Sequence, residues 1–134
     1  METLTLKVRI AVLWIFMAVA MSAHGILFVM EPGALEEMMS GQIEGATMSP
    51  AMILFMAIFW WVPLVMAFLS VTLKDAANRL VNMVLAIIFT ILNIYHLVEH
   101  IMNPSPAQLL IVASTVVVAA LIIWYAAKWP KVSS

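Results

Sequence analysis

The sequence predicts an all-α fold, a four-helix transmembrane bundle, and three observations carry that expectation. Of its 134 residues 66% are hydrophobic and only 10% are charged. Mean hydropathy is +1.12. The apolar residues gather in four runs, each near the length of about 20 residues that crosses a bilayer. These runs cover residues 8–29, 51–73, 80–101 and 107–127. Apart from Arg9 at the start of the first, none contains Lys, Arg or Asp, and only the third contains a Glu. A soluble chain this short could not bury so much apolar surface, because small domains leave much of theirs exposed. The composition therefore excludes a soluble enzyme and a disordered chain. Six Lys and Arg against seven Asp and Glu give a net charge of −1, which offers nucleic acid no basic surface. The lipid bilayer is the partner the sequence demands. Cysteine is absent, so disulfides, thiolate catalysis and Cys-ligated metals are excluded.

Lys7 and Arg9 stand at the start of the first run, as basic residues precede the apolar core of a signal peptide. The run is longer than the roughly 7–15 residues of such a core, so it reads as a retained span. A long loop follows it. Pro32-Gly33 opens the loop, and residues 34–40 read as a short amphipathic helix with Glu36 and Glu37 early and Gly41 as its stop. Leu35, Met38 and Met39 give this helix one apolar side, suited to lying on a membrane surface. Ser49-Pro50 caps and starts the second span, and Pro63 beside Trp60 and Trp61 predicts a kink within it. The tight connections at residues 74–78 and 102–106 force antiparallel neighbours. Small residues of the fourth span, Ala113, Ser114, Ala119 and Ala120, suit close helix contacts. Trp14, Trp124, Tyr125 and Trp129 read as an aromatic belt. The chain is read as one domain, residues 1–134.

Basic residues mark the cytoplasmic side of a membrane protein. Lys7, Arg9, Lys74, Arg79, Lys128 and Lys131 all fall at one end of such a bundle. The first loop, at the other end, carries Glu31, Glu36, Glu37 and Glu44 and no basic residue. Both termini are therefore expected in the cytoplasm of a prokaryotic cell, with the acidic loop outside.

Polarity within the spans is concentrated in the third. Asn82, Asn93, His96 and His100 fall within about 60° on a helical wheel, with Thr90 beside them. Polar groups are costly in hydrocarbon, so this seam should face the bundle interior. His24, near the outer end of the first span, reaches the depth of His96, Glu99 and His100. Two histidines at i and i+4 share a helix face, the spacing at which such pairs hold zinc. His96-x-x-Glu99-His100 also matches the inverted zinc-peptidase pattern, but those enzymes need a further carboxylate on a large soluble scaffold.

As a metal site, His24, His96 and His100 supply nitrogen, and Glu99 or a loop Glu supplies oxygen. Such a set suits zinc, copper or iron. Haem held between His24 and His96 is another expectation. Met30, Met38, Met39 and Met48 offer sulfur for Cu(I), or simply packing. Three readings of the cluster stand open: a structural cap, a metal or haem site, and a proton or small-ligand pathway. The corresponding functions are a non-enzymatic membrane protein that caps its bundle or binds a metal or small ligand, a metal- or haem-dependent oxidoreductase subunit, and a proton-coupled transporter. The last would work as a homo-oligomer, since one small bundle offers no continuous polar route.

The run Glu31-Pro32-Gly33-Ala34-Leu35-Glu36-Glu37-Met38-Met39-Ser40-Gly41 resembles a family of small, four-span prokaryotic membrane proteins known only as a domain of unknown function. So do Leu13-Trp14, Met48-Ser49-Pro50, Leu69-Ser70, Leu73-Lys74, Ala77-Asn78-Arg79 with Asn82, Ile123-Trp124-Tyr125-Ala126 and Lys128-Trp129. The resemblance spans nearly the whole chain and implies a four-helix membrane fold with no assigned activity. The chain departs from that family's pattern where His24 stands in place of an acid, and in the His-x-x-Glu-His of its third span.

Overall fold

The computed structural model describes residues 2–131. Its elements are α1 (Thr3–Met30), α2 (Ala34–Met39), β1 (Gln42–Ile43), β2 (Ala46–Thr47), α3 (Pro50–Thr72), α4 (Asp75–Met102) and α5 (Pro106–Ala127). Helices α1, α3, α4 and α5 are each long and apolar enough to cross a membrane. The boundaries follow local chemistry. Pro32 disfavours helical backbone at the residue before it, and Glu31 is extended there (φ −68, ψ 141), ending α1. The Ser49 side chain accepts the Met52 N–H at 3.2 Å, and Pro50 follows at the first helical position, where its missing donor costs nothing. Pro63 is buried inside α3, which runs unbroken through it.

Helix α1 packs along α3 and α5, and α5 packs along α4, while the seam between α3 and α4 is the sparsest of the four between neighbouring spans. Rings bridge that seam. Phe59 of α3 stacks on Phe89 of α4 at 5.0 Å, and Trp14 of α1 meets Phe89 edge-on at 5.5 Å. Ala119 and Ala126 of α5 are fully enclosed, which lets neighbouring backbones come close. Ala120, by contrast, is exposed.

Two tryptophans expected in an aromatic belt lie in the core instead. Trp14 has no exposed surface and Trp129 only 3%. The reason for Trp14 is a hydrogen bond: its indole N–H donates to Asn82 Oδ1 at 2.7 Å. Asn82 is the centre of a buried network. Its Oδ1 also accepts from Ser70 Oγ at 3.2 Å, and its Nδ2 donates to Asn78 Oδ1 at 2.7 Å. Asn78 Nδ2 in turn donates to the Ser70 carbonyl at 2.7 Å. Residues of α1, α3 and α4 thus satisfy one another where water is absent. Along α4, Asn82 and Asn93 are buried.

At this same end Lys7 donates to the Leu73 carbonyl at 3.0 Å and pairs with Asp75 at 3.2 Å. One ammonium therefore ties α1 to the end of α3 and the start of α4. Arg9 Nη1 donates to the Tyr125 hydroxyl at 3.4 Å, and Lys128 stands over the Trp124 ring at 3.7 Å.

Removing the network's centre should be costly. Asn82→Ala leaves the Trp14 N–H and the Ser70 hydroxyl without their acceptor, and a buried unsatisfied donor costs about 1–3 kcal/mol. The expected outcome is a loss of that size in the unfolding free energy, measured by detergent-denaturant titration of the micelle-embedded protein.

Candidate metal centre

Four side chains from three parts of the chain converge at the end of the bundle opposite Lys7 and Arg9. His24 lies in the second-last turn of α1, and His96 and His100 lie in the last two turns of α4. A 28-residue helix rises about 42 Å, more than a hydrocarbon core of about 30 Å, so these turns reach headgroup depth. The fourth group is Glu44. It sits on the turn between β1 and β2, which pair antiparallel with Ile43 opposite Ala46.

That turn is built to present a side chain. Glu44 and Gly45 both have positive φ, 50° and 76°, the combination of a tight primed hairpin turn. Glycine accepts this backbone readily, but Glu44 is the one described non-glycine residue with positive φ. A strained residue of this kind persists only when its surroundings hold it. Two interactions do so. Glu37 of α2 accepts the Gly45 N–H at 2.6 Å, and the Glu44 carboxylate docks on three imidazoles.

The carboxylate lies 3.5 Å from His24 Nε2, 3.4 Å from His96 Nε2 and 3.3 Å from His100 Nε2. His96 Nε2 and His100 Nε2 are 3.1 Å apart. One donor atom from each of the four residues can be chosen so that all lie within 4.8 Å of one another. The rings stand edge to face, His24 being 4.6 Å from His96 and 5.1 Å from His100 between centroids. That packing leaves no gap for a porphyrin between His24 and His96, so the arrangement does not fit the expected haem.

Burial pushes the Glu44 carboxyl up. The hydrogen bonding and charge of His24 and His96 outweigh this and hold it well below its ordinary value of 4.5. The stability this lends to loop docking is therefore present above that ordinary value and is lost as pH falls towards the depressed one.

Behind His24 stands Gln108, on the first turn of α5 and buried. Its Nε2 donates to the His24 carbonyl at 3.2 Å, and its Oε1 accepts from His24 Nδ1. The amide oxygen thus engages Nδ1, so that Nε2 is the nitrogen turned towards the cluster. A partner of this kind behind a ligating histidine fixes its tautomer and orientation.

The remaining candidates are distributed more widely. Glu99 is exposed and is not among the converging groups. Glu31 accepts from the Ser105 hydroxyl, joining the end of α1 to the start of α5. Glu36 is exposed on α2. Thr90 donates to the Ala86 carbonyl at 2.7 Å, and Asn93 donates to the Met17 sulfur at 3.7 Å. Met30 and Met39 are 74% and 87% exposed.

Sequence reasoning included Glu44 among four loop acids without separating it from them. It passed over Gln108. The available signals were weak: a Glu-Gly pair between two Gly-bounded dipeptides, and a single amide in the first turn of an apolar span.

Residues 5–134 match DUF6326, a family of unknown function. The chain belongs to this family. No curated protein and no solved structure is detectably similar to it. Family membership assigns no chemistry, so the site must be read from its own geometry.

Glu37→Ala should loosen the turn without touching the four converging groups. It removes the acceptor of the Gly45 N–H, a loss of about 1 kcal/mol. Hydrogen exchange of the Gly45 amide should accelerate by roughly fivefold, while amides in the middle of α4 keep their protection.

Proposed function

We propose that this DUF6326 protein is a non-enzymatic metal-binding membrane protein, holding one divalent transition-metal ion, zinc by preference, through His24, Glu44, His96 and His100. The observation that carries this reading is the spacing of the donor atoms. Donors about 2.0–2.1 Å from a tetrahedral zinc ion stand about 3.3–3.4 Å from one another. Four separations, 3.1, 3.3, 3.4 and 3.5 Å, lie near that value, and one donor atom from each of the four residues falls within 4.8 Å of the others.

The donor chemistry agrees with the spacing. Three imidazoles and a carboxylate are borderline-to-hard ligands, suited to Zn²⁺ and to Fe²⁺ or Cu²⁺ as competitors. Cu(I) prefers sulfur, and the exposed Met30 and Met39 do not supply it here. Four protein ligands also fill a tetrahedral shell, the pattern of ions that hold structure together. Bound there, the ion joins α1, α4 and the hairpin, and so fastens the loop over the end of the bundle. By the distribution of basic residues this end faces outward from the cytoplasmic membrane.

Purified protein loaded with zinc and freed of excess should retain about one ion per chain by elemental analysis. The His24→Ala, His96→Ala, His100→Ala triple variant should retain none. Gln108→Ala keeps all four ligands but loses the bond that orients His24, and should weaken zinc affinity by about 10–100-fold in competition with a chromophoric chelator. Equal zinc retention by wild type and triple variant would overturn the assignment.

A further inference from the structure

A cleft of about 680 Å³ opens beside the cluster, and its walls touch only one side of the donor set. It is lined by Glu44 and His100, by Gln108, and by three carboxylates outside the donor set, Glu31, Glu37 and Glu99. His24 and His96 do not line it. A particle approaching from this cleft therefore meets the donors through the gap between His100 and Glu44.

The three carboxylates outside the donor set form no ion pair with a cation among the described residues. Glu31 bonds the Ser105 hydroxyl and Glu37 bonds the Gly45 N–H, both neutral donors. None of the ion pairs among the described residues involves Glu31, Glu37 or Glu99. No Lys or Arg lies between Arg9 and Lys74, so the loop above the cleft supplies none. A recess lined by one sign of charge, with apolar walls behind it, concentrates counter-ions and raises their association rate by about 10–10³-fold. Phe28 and Pro104 provide such walls.

From this placement, and resting on the metal reading above, we infer that the cleft is the capture route of the site. A hydrated divalent cation is drawn in by Glu31, Glu37 and Glu99, exchanges water for His100 and Glu44 first, and completes its shell with His24 and His96. The three cleft carboxylates act on the rate of capture. The four donors set the residence time.

The test is stopped-flow association of Zn²⁺ with full-length protein in an uncharged detergent, followed by competition with a chromophoric chelator at low and at high salt. The Glu31→Gln/Glu99→Gln double variant should associate about tenfold more slowly at low salt. Its dissociation rate should be unchanged. The difference should shrink at about 1 M salt, where screening acts within about 3 Å. Glu36→Gln removes a charge on the same loop but outside the cleft, and should leave association within about twofold of wild type. Equal association by the double variant and wild type, or equal slowing by Glu36→Gln, would overturn the capture route while leaving the metal site standing. Failure of wild type itself to bind Zn²⁺ would overturn the metal reading and the route with it. Hydrogen exchange of α4 in the double variant checks its folding, and a variant that fails this check is replaced by Glu99→Gln alone, held to the same criterion at about threefold.

Discussion

Hydrocarbon offers a polar group no partner, and that constraint organises this molecule. An unsatisfied polar group costs several kcal/mol there, so most polar side chains of the spans are met by another or by a backbone carbonyl, the buried Trp60 N–H being an exception. Asn82 meets the constraint with four bonds to Trp14, Ser70 and Asn78. Those bonds, rather than apolar burial, distinguish one arrangement of α1, α3 and α4 from others, since lipid tails compete equally for every apolar face. The histidine cluster meets the same constraint differently. Its imidazoles face one another and one carboxylate, and Gln108 closes the set from behind.

The two ends of the bundle are consequently built on different principles. At the basic end each join is local and complete: Lys7 binds a carbonyl and Asp75, Arg9 meets Tyr125, and Lys128 covers Trp124. At the acidic end the join is made by a loop that crosses over the bundle and lowers one side chain onto it. The strained backbone at Glu44 shows how closely that side chain is aimed.

Much of this was legible in the sequence. Four apolar runs gave the helices, and the spacing of Asn82, Asn93, His96 and His100 gave an inward seam, because a period of 3.6 fixes which side chains share a face. The depth of His24 followed from counting residues from the span's end. What was hidden depended on tertiary choice. Glu44 was indistinguishable from Glu31, Glu36 and Glu37, because a two-residue strand carries no readable period. Trp14 and Trp129 looked like belt residues, since ring chemistry alone does not say which rings are enclosed: Trp14 meets Asn82 inside, while the Trp129 N–H is buried without a partner. Gln108 stood alone in its span, and its meaning came only from what α5 sets opposite it.

The division of the cluster between helices has a mechanical consequence. His24 belongs to α1, while His96 and His100 belong to α4, and these helices lie diagonally with α5 packed against both. Lys7 and the asparagine network pin their far ends. The distance between the imidazoles therefore measures how far the free ends splay, as the gap of a caliper measures the angle of its arms. Under the metal reading proposed above, an ion that held the three imidazoles together would also hold these two free ends at one separation.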